Sequence, residues 1–447
     1  MNKKLFGTDG IRNTVGQFPF ELPALLLLGN AISKWINTTI GKEKRVLIGH
    51  DTRLSCSMIK SALKTGLLCE QQIISDAGVI TTPMACLLTQ YGFFDIGIII
   101  SASHNPYQDN GIKIVTRNGK ISQSDEAHIE QTFADLLLLN SYSYENLGNE
   151  NHYTDALKTY LSVLKKFFKK DFLHGFKIVL DCAHGASYMS APYIFKYFGA
   201  DVIAINTSPD GTNINFKCGS LEPSMLQATV VSHNAQYGFA FDGDGDRVIA
   251  CNSKGDIKDG DDILHLLATH SAYVHQSEIV GTIMTNQGLV DNFTMRNIST
   301  RRAAVGDKYV SQTLQNNNLL LGGEPSGHII MQDYLKSGDG IFTALRIMQT
   351  ITENQNLNFD TFQRYPQFII NMPVSRKIDL KSARIENIIA NHEQNLTSGR
   401  LVVRYSGTEN LLRIMAENIH MQEAQFVVKQ LADRLEKEHH IQVMENT

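Results

Sequence analysis

Short apolar runs recur along the chain, and each ends on Gly, Asp, Ser or Asn: RVLIGHDTR near 45, IGIIISASHN near 96, KIVLDCAHG near 177 and FAFDGDGDR near 239. Continuous runs of this length, followed by stretches with helical periodicity, predict buried strands alternating with helices. The fold class expected is α/β. ALLLLG at 24–29 is far shorter than the roughly 20 apolar residues that span a bilayer, so it is expected to be the buried stripe of a helix. Polar stretches at 140–155, 252–262 and 353–360 interrupt this pattern and mark approximate junctions. The region from about 367 is shorter and ends in the amphipathic, charged run QEAQFVVKQLADRLEKEH. The expected architecture is therefore three similar α/β domains with mixed sheets, at 1–150, 151–255 and 256–366, plus a smaller C-terminal α+β domain at 367–447, around a central cleft.

A chain of 447 residues that is 43% hydrophobic is too long for one ordinary core. Its 41 basic and 45 acidic side chains give a formal charge of -4 without a polybasic block, which argues against a nucleic-acid partner. The start has no apolar core of a secretory signal, and no membrane segment is expected. Six cysteines without CxxC or zinc spacing fit buried, reduced thiols, so a cytoplasmic protein is expected.

In open α/β sheets ligands gather at the carboxyl ends of strands, and the chemistry-bearing motifs all fall at such places. DGDGDR sets Asp242, Asp244 and Asp246 at alternate positions with glycines between, so a tight loop can turn three carboxylates to one point; hard oxygen ligands of this kind suit Mg²⁺. An EF-hand would need Gly in the sixth place and Glu in the twelfth, where Arg247 and Ser253 stand. SASHNP offers Ser101 and Ser103 as nucleophiles beside His104, with Lys113 downstream to balance phosphate charge. In RYSGTE, Arg404, Ser406, Gly407 and Thr408 supply a guanidinium fork, two hydroxyls and an open backbone, the donors a phosphate needs. In GEPSGH, Glu324, Ser326 and His328 form a set able to read sugar hydroxyls. Each loop alone could be an ordinary polar turn. Their combination points to phosphoryl transfer, which is mostly positioning plus a cation. No nucleotide-binding glycine loop occurs.

From FGTDGIR (6–12) through RYSGTE (404–409), in the same order, the motifs resemble those of the α-D-phosphohexomutase superfamily, and SGTE with VGDKY (305–309) resembles its glucosamine branch. The resemblance implies four domains, a phosphoserine at Ser103, and one Mg²⁺ held by Ser103, Asp242, Asp244 and Asp246. It places Arg12, His104, Lys113 and Arg247 around the transferring group, Glu324, Ser326 and His328 at the sugar, and Arg404, Ser406, Gly407 and Thr408 at the non-reacting phosphate. The implied reaction interconverts glucosamine 6-phosphate and glucosamine 1-phosphate through a glucosamine 1,6-bisphosphate intermediate, feeding UDP-N-acetylglucosamine and cell-wall precursors. The implied partner is thus a small hexosamine phosphate, and the resemblance leaves room for a homodimer. Mannose or glucose phosphates are alternative substrates, and a metal-dependent sugar-phosphate phosphohydrolase or a silent sugar-phosphate sensor are alternatives of other classes. His104, His328 and Lys113 all stand open as the general base. Asn13 and Asn410 occupy places where the family usually has Gly and Pro, and His50 one where it often has Arg; Asn13 is expected in a turn that calls for positive φ.

Overall fold

The structure is a computed structural model and describes residues 4–7, 9–139, 146–374, 377–406 and 410–439. It divides into two compact units, one of Met1–Met284 with Arg301–Asp360, the other of Thr285–Thr300 with Thr361–Thr447.

The first unit holds three mixed sheets. In the first, Arg45–His50 lies between Ile73–Val79 and Ile96–Ile100, parallel to both, and Asp109–Thr116 returns antiparallel to Ile96–Ile100. In the second, Lys177–Asp181 runs parallel to Asp201–Ile205 and Tyr237–Phe241, and Val248–Asn252 returns antiparallel on Tyr237–Phe241. In the third, Glu278–Thr282 runs parallel to Leu321–Gly323, and Ile329–Met331 returns antiparallel on Leu321–Gly323. SASHNP, DGDGDR and GEPSGH each connect such a strand to its antiparallel return. The periodic stretches expected to follow SASHN and DGDGDR are therefore strands rather than helices. Ile112, Ile114 and Val115, and Val248, Ile249 and Ala250, are buried in these two-sided sheets, where a strand needs no alternation.

A second feature repeats. At the end of the strands Arg45–His50, Lys177–Asp181 and Glu278–Thr282 a side chain accepts the backbone N–H two residues on: Asp51 from Arg53 at 2.9 Å, Asp181 from Ala183 at 2.9 Å and Thr282 from Met284 at 3.1 Å. Such Asx and Ser/Thr turns end a strand and free the chain to enter a loop.

The helix Leu22–Trp35 carries the ALLLLG stretch, with Leu25, Leu27 and Leu28 buried. It crosses the helix Cys56–Leu68 so closely that a Cβ on Gly66 would lie 2.0 Å from the Leu26 carbonyl oxygen. Asn13 sits in the strand Gly10–Thr14 without positive φ, and its side chain donates to the Phe18 carbonyl at 2.8 Å, so no left-handed turn is needed there. Polar segments expected as junctions carry structure of their own: Asn149–His152 adds a parallel edge strand to Ile73–Val79, and Asp259 caps the helix Gly260–Leu267. All six cysteines are free and buried. Among the described residues no helix is long and apolar enough to cross a membrane.

The second unit contains the antiparallel sheet Gln367–Pro373, Leu411–Glu417 and Arg400–Tyr405, with Leu411–Glu417 in the middle. The helix Met421–His439 lays Val427, Val428, Leu431 and Leu435 onto Met372, Leu412 and Ile414.

In the first unit the helix Gly340–Asn354 starts at Asp339, whose carboxylate accepts the Phe342 N–H at 3.0 Å and the hydroxyls of Tyr160 and Tyr334 at 2.8 Å. Burial raises the Asp339 carboxyl to about 6, against the lowering effect of these donors. The folded state therefore binds the proton more tightly than the unfolded chain, and this group's contribution to stability falls as pH rises from its ordinary carboxylate range through about 6. Relative to Asp339→Asn, which does not titrate, the wild type is expected to lose about 1 kcal/mol between about pH 5 and about pH 7, measured by chemical denaturation of both proteins.

Candidate active site

Ser103 follows the buried strand Ile96–Ile100 and is a non-glycine residue with φ of +53°. That conformation costs an L-residue about 1–2 kcal/mol. It persists because every polar group of the residue is held. The N–H donates to Ser101 Oγ at 2.9 Å, the carbonyl accepts Arg53 Nη2 and Asn215 Nδ2 at 2.9 Å each, and Oγ donates to Asp242 Oδ2 at 2.6 Å. His104 Nδ1 lies 3.3 Å from the same Oγ.

DGDGDR brings the three carboxylates to that hydroxyl. Asp242, Asp244 and Asp246 are buried and each offers an oxygen within 4.8 Å of the others'. The glycines between them have separate reasons: Gly245 has φ of +76°, and a Cβ on Gly243 would lie 2.5 Å from the Ser103 carbonyl oxygen. Burial, then Asp246 and Asp244, push the Asp242 carboxyl well above the ordinary range. Burial also opposes ionisation of Asp246, but Lys113, His328 and Arg247 hold its pKa well down. Lys113 is the main counter-charge, with Nζ 2.8 Å from Asp244, 2.9 Å from Asp9 and 3.3 Å from Asp246. Burial alone would discharge it, and these three carboxylates instead raise its pKa. Thr82 Oγ1 donates to Asp244 Oδ2 at 2.5 Å. Among the described residues Asp244 Oδ1 is buried without a hydrogen-bond partner, and Asp246 Oδ1 has the His328 ring at 3.5 Å and Arg247 Nε at 3.9 Å. Buried oxygen donors left under-satisfied around one point fit a hard divalent cation.

A cavity of about 370 Å³ opens beside this cluster, lined among others by Arg12, His104, Arg247, Glu324, Ser326 and His328. Both Arg12 and Arg247 line it, and among the described residues each has a buried Nε with no hydrogen-bond partner, so two guanidinium groups stand there with donors to spare for an anion. Glu324 Oε1 accepts the Gly306 N–H at 2.9 Å, which joins GEPSGH to the VGDKY segment. His104 is lowered to about 4 by burial and by Arg247 and Arg12. Burial would lower His328 as well, but Asp246, Asp307 and Glu324 raise it to about 9. The Gly338 N–H, 3.1 Å from Nε2, fits only the neutral ring. In either state the Nδ1 proton points toward Asp246.

Arg404 and Ser406 belong to the second unit. Arg404 stands opposite Arg413 in the ladder between Arg400–Tyr405 and Leu411–Glu417, and partial burial together with Arg413 lowers its pKa. An anion would relieve that repulsion. Gly407 and Thr408 lie outside the described residues.

The four segments 3–138, 151–255, 259–367 and 369–434 match, in that order, the phosphoglucomutase/phosphomannomutase α/β/α domains I, II and III and the C-terminal domain. The chain is 40% identical over 446 residues to a phosphoglucosamine mutase of Chlamydia caviae, covering 98% of this chain and 97% of that one. The chain belongs to the α-D-phosphohexomutase superfamily.

It is also 40% identical over 436 residues to a phosphoglucosamine mutase of Acinetobacter baumannii, covering 96% and 97% of the two chains. Among solved structures, a phosphoglucomutase/phosphomannomutase family protein from Burkholderia thailandensis superposes with a TM-score of 0.80 at 20% identity, covering 98% of this chain and 99% of that one. An Aspergillus fumigatus N-acetylphosphoglucosamine mutase, solved with GlcNAc-6P and magnesium, superposes with a TM-score of 0.66 at 16% identity, covering 97% and 95%.

Several residues of this phosphohexomutase site are not among the candidates read from the sequence. Asp9 bridges Arg12, Lys113 and Lys120, and Lys120 reaches on to Asp307. Asp9 and Asp307 sit inside the motifs FGTDGIR and VGDKY, whereas Lys120 and Thr82 have no local signal at all. Ser101, one of two candidate nucleophiles by sequence, donates to Asp51 and accepts from the Ser103 N–H, so its hydroxyl is spent on structure. His50 hydrogen-bonds the Asp51 carbonyl through Nδ1 at 2.7 Å.

Since the carboxylate cluster is the source of the repulsion, a divalent cation at about 100 times its Kd is expected to raise unfolding free energy by about 2.7 kcal/mol. Asp244→Ala should abolish that increment, read as the difference in thermal midpoint with cation and with chelator.

Proposed function

We propose that this chain is a phosphoglucosamine mutase, an isomerase that moves a phosphoryl group between the 6- and 1-positions of a hexosamine by way of Ser103. The observation that supports it best is the 2.6 Å contact from Ser103 Oγ to Asp242, which puts a hydroxyl at the edge of a three-carboxylate cluster beside a cavity with spare guanidinium donors. The phosphoglucosamine mutases that it resembles at 40% identity over nearly their full length favour the hexosamine substrate over mannose or glucose phosphates.

In this reading Ser103 carries the phosphoryl group and gives it to the free hydroxyl of glucosamine 6-phosphate. The resulting 1,6-bisphosphate turns in the site and returns its other phosphoryl group to Ser103, leaving glucosamine 1-phosphate. Asp242, Asp244 and Asp246, with the seryl phosphate, would hold Mg²⁺, which when bound supplies positive charge for the phosphoryl oxygens. Lys113, Arg12 and Arg247 provide fixed cations around the transferring group, so the negative charge that accumulates there meets donors already in place. Of the three candidate bases, His104 is the one that touches Ser103, and its neutral ring can take up the proton of the attacking hydroxyl. Lys113 and His328 stay engaged with carboxylates. Glu324, Ser326 and His328 are assigned to the sugar, and Arg404, Ser406, Gly407 and Thr408 to the phosphate that does not react. Domains at 1–150, 151–255, 256–366 and 367–447 carry the phosphoserine, metal, sugar and phosphate loops respectively in this reading. We place the protein in the cytoplasm, where six buried thiols remain reduced.

Ser103→Ala is expected to lower mutase turnover of glucosamine 6-phosphate by about 10⁴-fold or more. The purified protein should lose the mass of one phosphoryl group while divalent-cation binding persists. Turnover near the wild-type value would refute the carrier role. Comparing glucosamine, glucose and mannose phosphates on the same preparation tests the hexosamine assignment.

A further inference from the structure

Behind Ser103, on the side away from the cavity, lies a group of fully buried polar side chains to which the phosphoryl-transfer reaction gives no task. Arg53 is 2% exposed, and its guanidinium spans the whole phosphoserine loop. Nη2 donates to the carbonyls of Ser103 at 2.9 Å and Asn105 at 2.8 Å, Nη1 donates to those of Pro106 and of Asp109, the latter at 3.1 Å, and Nε donates to Asp51 Oδ2 at 2.9 Å. The other half of the brace is Ser101, which is fully buried. Its hydroxyl donates to the same Asp51 oxygen at 2.6 Å and accepts the Ser103 N–H at 2.9 Å. Asp51 thus gathers both arms, one ending on the N–H of Ser103 and the other on its carbonyl. Neither Arg53 nor Ser101 lines the cavity.

We propose that Ser101 and Arg53, tied together by Asp51, are positioning residues for phosphoryl transfer: they hold Ser103 in its left-handed conformation so that Oγ meets the carboxylate cluster. The inference rests on Ser103 being the carrier. Two arguments support it over simple loop packing. First, the two arms grip the peptide groups on both sides of the Ser103 Cα, the two bonds whose rotation aims Oγ, and the residue has φ of +53°, which a serine does not adopt unaided. Second, Arg53 satisfies loop carbonyls at four positions, a task that needs a planar fork with several fixed donors; a lysine ammonium, with its point charge, cannot reproduce it. A carrier serine that swings by an ångström leaves the line of attack, and misplacement on that scale costs about 10²-fold in rate.

The test uses the full-length, phosphorylated protein with Ser101→Ala and, in parallel, Arg53→Lys. Ser101→Ala removes one hydroxyl and leaves Asp51 still bonded to Arg53, so the fold is retained even where Arg53→Lys fails to accumulate. Expected for Ser101→Ala are a kcat lower by about 10- to 100-fold, an unchanged KM for glucosamine 6-phosphate, a thermal midpoint lowered by no more than the loss of its two hydrogen bonds implies, an unchanged divalent-cation affinity, and a shifted phosphorus NMR resonance of the phosphoserine. A kcat equal to wild type overturns the proposal. So does a fall in kcat that comes with a larger loss in thermal midpoint, with a loss of cation affinity, or with an unmoved phosphorus resonance, since each describes a general structural role. Failure of the carrier reading is separate: it shows as turnover by Ser103→Ala.

Discussion

Burying three carboxylates side by side is the constraint around which the first unit is built. In a medium that solvates charge poorly, Asp242, Asp244 and Asp246 repel one another strongly, and Asp242 retains its proton more readily than a free side chain would. The main relief is Lys113, helped by His328 and Arg247; its ammonium is itself buried and depends on Asp244, Asp9 and Asp246 to remain charged. Pairs of this kind rarely add to stability, because desolvation consumes what the attraction returns. Their retention is better understood as preparation for a ligand: a cation for the carboxylates, and an anion for Arg12 and Arg247, whose Nε donors make no hydrogen bond among the described residues.

The charges come from different sheets, and that division explains the architecture. Lys113 lies on a strand of the first sheet, the aspartates on a loop of the second, and His328 on a loop of the third. Each is delivered by the same device, a parallel strand that ends in a short loop and returns antiparallel. The return strand anchors both ends of the loop in a hydrogen-bonded ladder, so the loop backbone is held at two points only a few residues apart. Rigid scaffolds of this sort allow side chains to be placed to within a fraction of an ångström, which catalysis by positioning requires. The turn that follows one parallel strand of each sheet, at Asp51, Asp181 and Thr282, is the clearest trace of a repeated unit, and it is carried by hydrogen-bond geometry rather than by residue identity.

Much of this was legible in the chain. Alternating apolar runs gave the α/β class, since buried parallel strands are apolar on both faces. Spacing in DGDGDR implied convergence of its carboxylates because residues at alternate positions with glycines between can share one side of a tight loop. The element after each motif was less legible. An apolar stretch behind a loop suits a helix or a strand equally by periodicity, and only pairing with Ile96–Ile100 or Tyr237–Phe241 decided for strands. Thr82 and Lys120 are silent in the sequence for a related reason: nothing adjacent to them in the chain signals a role, and their partners lie far along it; Arg53 ends the run RVLIGHDTR, but the carbonyls it holds lie about 50 residues on.

By itself, then, the order of residues determined the types of chemical group available, their local spacing, and the strand ends on which they would appear, because those depend on bonds and rotations within a few residues. Residue type and spacing did not separate the two serines, and Ser103 was singled out only by family resemblance; tertiary structure decided which hydroxyl meets the carboxylate cluster. Ser101 and Ser103 are equivalent as a motif, but folding turns one toward Asp51 and the other toward Asp242. The choice is made by a left-handed backbone at Ser103, and that conformation is stabilised by hydrogen bonds from Arg53 and Asn215, groups separated from it by 50 and 112 residues.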